Sequence, residues 1–203
     1  MLFQQFLDEI NAEHGYGVML MTQMDAVPDT LQFVIATTEF DPEVDGLRDK
    51  NRYLLRAIGI QEHRISLGMF RSAKQADKEN HPLLMQYNSQ PVALFFRGTP
   101  RNVDALILNV FQTYSSVFWD WHHVPEFLNI NKPLFDLFGD GGDLVGEMPR
   151  PLANALIPVL EAQGVETKVI EGERHKEQPE MKLLLLDESY IIAMNFTVDK
   201  LGG

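Results

Sequence analysis

The apolar positions near the start of the chain recur every three or four residues. Leu2, Phe3, Phe6, Leu7 and Ile10 share one helical face, which predicts an amphipathic helix over residues 2–13, ended by Gly15 and Gly17. The rhythm then changes. Residues 16–24 and 31–38 alternate in polarity or are rich in β-branched and aromatic side chains, and Asp25, Pro28 and Asp29 between them form turns readily. An antiparallel hairpin is expected there. Asp41-Pro42 carries the chemistry of a helix start, and Leu47, Leu54, Leu55 and Ile58 supply a stripe running to Gly59. A strand is expected over residues 63–70, a polar loop over 71–81, and a second hairpin from 83–87 and 92–97.

The clearest helix begins after Thr99-Pro100. Val103, Leu106, Ile107, Val110, Phe111, Tyr114, Val117 and Phe118 line one face. Such a stripe must cover a sheet or an oligomer partner, because it is too apolar to leave in water. Residues 119–148 are less regular. A helix is expected over 149–163, entered through Pro149 and Pro151, kinked at Pro158 and ended by Gly164. A strand at 165–170, a polar loop at 171–180, a last hairpin from 183–186 and 190–196, and a loose tail at 201–203 complete the pattern. Hairpins outnumber strand–helix–strand crossovers. The expected class is therefore α+β, with an antiparallel or mixed sheet built largely of hairpins and helices packed on it. Residues 1–118 form the expected main α+β domain. Residues 119–203 are an appended α+β segment or a continuation of the same domain.

Composition narrows the function classes. The 203 residues are 45% apolar and contain no cysteine. Disulfides, thiolate metal sites and cysteine nucleophiles are thereby excluded, and a reducing compartment follows as the expectation. No basic, apolar leader and no membrane-length apolar run is visible, so a cytoplasmic location without membrane insertion is expected. The net charge of −12 argues against nucleic acid as a partner. The charge is uneven, however. Residues 48–78 hold eight cations and three carboxylates, which leaves −17 on the rest of the chain.

Three stretches could carry chemistry. Asp136, Asp140, Asp143 and Glu147 surround Gly139, Gly141 and Gly142, and partly match the spacing of a calcium loop. Phe138 stands where an oxygen ligand belongs, and Pro133 and Pro149 flank the segment. An acidic glycine turn is the plainer reading. Trp119-Asp120-Trp121-His122-His123 is the second stretch. Asp120, His122 and His123 could join Asp136, Asp140 and Asp143 around a divalent metal in a hydrolase, the one cofactor this pattern would admit. Adjacent histidines diverge on helix or strand, so an aromatic corner is the plainer account. As a contact patch, Trp119, Trp121 and Phe127 would serve a protein partner. The third stretch is the row Arg48, Arg52, Arg56, Arg64 and Arg71, an anion or nucleotide site if the guanidiniums converge. On the expected helix, Arg52 and Arg56 would share a face.

No nucleophile elbow, phosphate loop or dinucleotide fingerprint occurs. The element order expected over residues 1–118, together with the acidity, resembles small acidic secretion chaperones. That resemblance implies an α+β dimer holding a protein partner on an apolar surface. The leading expectation is therefore a non-catalytic protein-binding or regulatory module, homo-oligomeric, with no resident cofactor.

Overall fold

The computed structural model describes residues 2–43, 45–119, 121, 126–129, 131–173 and 179–202. In chain order the elements are α1 (Leu2–Ile10), β1 (Gly15–Met24), β2 (Thr30–Asp41), β3 (Gly46–Arg64), β4 (Gly68–Phe70), β5 (Ala73–Ala76), α2 (Pro82–Asn88), β6 (Pro91–Arg97), α3 (Val103–Phe118), α4 (Leu134–Gly139), β7 (Gly142–Pro149), α5 (Arg150–Ala162), β8 (Glu166–Glu171), β9 (Lys182–Leu186) and β10 (Ser189–Leu201). They belong to two compact units. The first joins Met1–Asp77 to Pro179–Gly203, and the second is Lys78–Gln178, which includes residue 119.

The first unit is a seven-stranded antiparallel sheet in the order β4-β1-β2-β3-β10-β9-β5. Helix α1 touches both β1 and β5. Those strands would lie about 24 Å apart in a flat sheet, and a nine-residue helix is only about 13 Å long. The sheet therefore curls around the helix. Phe6, Leu7 and Ile10 meet Met19, Phe33, Ile35, Tyr53, Leu55, Ile191 and Phe196 in one buried cluster. The polar end of α1 is tied down as well. The Glu9 carboxylate accepts hydrogen bonds from Thr37 (2.6 Å), Asn51 (2.8 Å), Tyr53 (2.9 Å) and Gln5 (3.0 Å). Just past the helix, the Asn11 side chain donates to the Ala73 carbonyl (2.7 Å) and accepts from the Ala73 N–H (2.9 Å).

The helix expected after Asp41-Pro42 is instead the β2–β3 hairpin. Asp41 does not cap a helix. Its carboxylate accepts from the Glu43 N–H (2.9 Å) within the turn. Tyr53, Leu55 and Ala57 alternate inward and are fully buried, while Leu54, Arg56 and Ile58 face the other way, half-buried. This alternation was hidden because Leu54-Leu55 also fits a helical stripe, and pairing with β2 and β10 outweighs that local preference. Gly59 does not end a helix either. It sits inside β3 at φ 67°, where a side chain would collide with Met194.

Three smaller readings also change. The strand expected at 63–70 is broken between β3 and β4, and the polar loop contains β5. Residues 83–87 belong to helix α2, not to a strand. Pro82 occupies its first turn and the His81 side chain caps it. At the chain's far end, Leu201 pairs with Arg52 as part of β10. The helix α1, the β1–β2 hairpin, α3, α5 and the β9–β10 hairpin lie where the pattern placed them.

The second unit is a three-stranded antiparallel sheet, β7-β6-β8. Helix α3 starts where the Asn102 side chain accepts from the Ala105 N–H (2.9 Å). Its stripe of Leu106, Val110, Tyr114 and Phe118 is wholly buried with Val92, Leu94 and Phe96 of β6 and Leu152, Leu156 and Leu160 of α5. Helix α5 runs to Ala162 with Pro158 inside it. Among the described residues, no helix is long and apolar enough to cross a membrane.

Candidate functional site

Helix α3 ends in an aromatic corner. Trp119 adopts the left-handed conformation (φ 54°, ψ 41°), and its N–H donates to the Ser115 carbonyl (2.8 Å). A glycine usually holds this position, and a residue with a Cβ costs about 1–2 kcal/mol there. The Trp121 N–H donates to the Phe118 carbonyl (3.0 Å). Both indoles meet the edge or face of His81, with ring centroids at 5.8 Å for Trp119 and 5.4 Å for Trp121. His81 is itself buried, and its Nδ1 accepts from the Leu83 N–H (3.3 Å). Trp119 remains 57% exposed.

Phe127 has a different place. It stacks on Phe118 at 5.4 Å and lies 6.5 Å from Tyr114, as a half-buried extension of the second unit's core. Burial, with the Glu126 charge nearby, pushes the Tyr114 hydroxyl up to about 12. Asp120, His122 and His123 lie outside the described residues.

The acidic glycine segment folds into two elements. Asp136 lies on α4, Asp140 follows that helix as its C-cap, and Asp143 and Glu147 lie on β7. Lys132 bridges the turn, with Nζ 3.2 Å from Asp140 and 2.9 Å from Asp143. These bonds hold the Asp143 carboxyl below its usual range and the Lys132 ammonium above its own. Among the described residues, no three His, Asp or Glu side chains are grouped to hold a metal ion.

The arginines lie along a strand. Arg48, Arg52, Arg56 and Arg64 span β3, and sixteen residues of strand extend over about 50 Å. Arg48 is paired in register with Glu39, Arg52 lies 3.2 Å from Asp49, and Arg56 pairs with Asp199. Arg64 donates to the Glu188 carbonyl (2.9 Å) and lies over the Tyr190 ring. Arg71 lies over the Tyr16 ring at 5.2 Å.

Two features escaped the reading of the sequence. His81 sits 38 positions before Trp119 and becomes its neighbour only through the packing of α2 and α3. Glu9 reaches Asn51 and Tyr53 across more than forty residues. Its burial acts to raise the carboxyl pKa, but the hydrogen bonds from Thr37, Asn51, Gln5 and Tyr53 leave it lowered overall. No local pattern signals either meeting. No family model matches the chain, and neither does any curated protein or solved structure.

Proposed function

We propose that this chain is a non-catalytic protein-binding or regulatory module of the cytoplasm, self-associating, which meets a protein partner at the corner formed by Trp119 and Trp121. The observation that carries this reading is Trp119. It combines a left-handed backbone with a 57% exposed indole, and both are unfavourable in the free chain. Non-glycine residues held in the left-handed region cluster at functional sites, where the surrounding structure maintains the strain. Tryptophan is among the commonest anchors of protein interfaces, since it offers a large rigid area with few rotatable bonds.

The surroundings support this use. Trp121 and the buried His81 flank the indole, and Phe118 and Phe127 stack at the end of the same helix. The α3 stripe, expected to cover a sheet or an oligomer partner, is buried in the unit's own core against β6. The proposed contact therefore sits at the helix's C-terminal corner.

A photo-crosslinking residue placed at position 119 in the full chain, inside cells, tests the proposal. The expected outcome is one or a few discrete protein adducts that are absent when the same residue stands at Leu108, which is 58% exposed on the same helix. Equal and diffuse labelling at both positions would overturn it.

A further inference from the structure

Sheet edges are ready-made templates for pairing with another chain, and folded proteins block them. Three of the four edges here are short or occupied. The Asn11 side chain holds both backbone groups of Ala73 on β5. The Asn129 N–H donates to the Val145 carbonyl (2.8 Å) and its side chain to the Leu144 carbonyl (3.2 Å), covering β7. Strand β4 has only three residues. The remaining edge is β8, six residues long.

The phase of β8 follows from one hydrogen bond. The Gly172 N–H donates to the Pro91 carbonyl (2.8 Å). Pro91 has no N–H to return, and the Gln90 side chain donates to the Gly172 carbonyl instead (2.6 Å). The register from Val92–Glu171 to Arg97–Glu166 continues without a shift. In an antiparallel ladder such pairs alternate. Glu166, Lys168 and Ile170 therefore turn their backbone groups toward β6. Thr167, Val169 and Glu171 turn theirs outward, and no described residue bonds to those outward groups.

The side chains on this edge are self-complementary. Glu166, Lys168 and Ile170 share the face opposite α5, next to Arg97, Phe95 and Ala93 of β6, and Ile170 is 45% exposed there. A shallow groove of about 370 Å³ runs along the same face. The other face is engaged within the unit, where Thr167 donates to Glu161 (3.0 Å) and Glu171 pairs with Arg150.

We propose that a second copy of this chain pairs with β8 about a two-fold axis, antiparallel, to give one continuous six-stranded sheet. The outward groups of one copy must meet those of the other, so odd-numbered residues pair with odd-numbered ones. With the axis at Thr167, Glu166 of each copy stands opposite Lys168 of the other, so opposite charges meet on both sides of the axis. An axis at Lys168 would instead oppose two ammonium groups. An axis at Val169 would overlap more of the strand but set Lys168 opposite Ile170 and pair no opposite charges, so charge complementarity selects the Thr167 axis, with residues 166–168 of the two copies opposite one another. This inference rests on the self-associating reading above and assigns it a surface separate from Trp119.

Native mass spectrometry and light scattering over about 1–200 µM test it, the range in which so small a seam should associate. The wild-type chain should dimerise. Lys168→Glu should raise the dimer dissociation constant at least tenfold by opposing two carboxylates. Adding Glu166→Lys to Lys168→Glu should restore it to within about threefold. Thr167→Pro removes an outward N–H without touching the β6 ladder, so the folded chain, checked by circular dichroism, should remain monomeric. A wild-type chain that is monomeric throughout would overturn the self-associating reading itself. A dimer unmoved by Thr167→Pro, or one lost instead on Trp119→Gly, would keep self-association and overturn this seam.

Discussion

The two units treat their polar backbone in opposite ways. The seven-stranded sheet closes around α1, sets four donors on Glu9 and holds an edge with Asn11. The three-stranded sheet leaves a six-residue edge without a pairing strand among the described residues and ends helix α3 on an exposed tryptophan. The first arrangement favours stability, since an unmade hydrogen bond at a half-buried site is costly. The second leaves surface for other chains. Both contacts proposed above lie in Lys78–Gln178.

The largest expected effect breaks the contrast in its core. Phe6 is fully buried against Tyr53, with ring centroids at 5.5 Å. Phe6→Ala should destabilise the first unit by about 3–5 kcal/mol. Both tryptophans lie in the second unit, so their emission reports that unit, while hydrogen exchange at the β3 and β10 amides reports the first. Protection of those amides should be lost at a temperature lower by more than about 10 °C, with the emission transition moving less. An equal shift of both signals would mean the units unfold together.

A smaller effect sharpens the same side. Glu9→Gln keeps the shape and removes the charge that its donors favour, for a loss of about 1–3 kcal/mol at neutral pH. The Glu9 carboxyl lies below its usual value near 4.5 in the fold. Its contribution is therefore complete above the unfolded value and is lost as pH falls through the lower folded value. Melting curves of the two proteins should be well separated at pH 7 and should converge toward pH 3. A constant gap would show that the charge is not what the site recognises.

On the other side of the comparison the sign reverses. Trp119→Gly relieves the left-handed backbone and should leave stability unchanged or raise it by up to about 1 kcal/mol. With the photo-crosslinking residue moved to position 121, the same change should abolish the discrete protein adducts formed at this corner. A clear fall in melting temperature would mean that the indole supports the fold instead. Lys132→Ala should have the smallest effect. Its bonds to Asp140 and Asp143 are exposed, and such pairs contribute little, so 0.5 M salt should shrink the small difference from wild type further.

The parts of the fold legible in the sequence are those whose burial is set locally. Phe6 and Ile10 on α1, and Val110 and Tyr114 on α3, repeat at helical spacing and are buried as that spacing requires. The stretch around Leu54-Leu55 was misread because two neighbouring leucines satisfy a helix and a strand alike. Partners in β10, more than 140 positions away, decide between them. The aromatic corner was legible as composition, through Trp119 and Trp121. Its third member His81 was not, nor was Lys132 as the partner of Asp140 and Asp143, because neither lies in the same local pattern. The open edge of β8 could not be read at all, since which strand ends a sheet is a property of topology.

The interrupted course of the first unit also sets an order of events during synthesis. Strand β3 is complete at Arg64, yet Tyr190, which pairs with Arg64, emerges 126 residues later. At about 5–20 residues per second, that gap lasts roughly 6–25 s. The whole of Lys78–Gln178 is made in the meantime and can fold as a continuous segment. A nascent chain thus carries a finished second unit while the sheet of the first still lacks β9 and β10, and one side of β3 must wait unpaired. Arg48, Lys50, Arg52, Arg56 and Arg64 stud that waiting strand. Charges of this kind discourage premature pairing between neighbouring chains, so the arginine row serves the growing chain as well as the finished one.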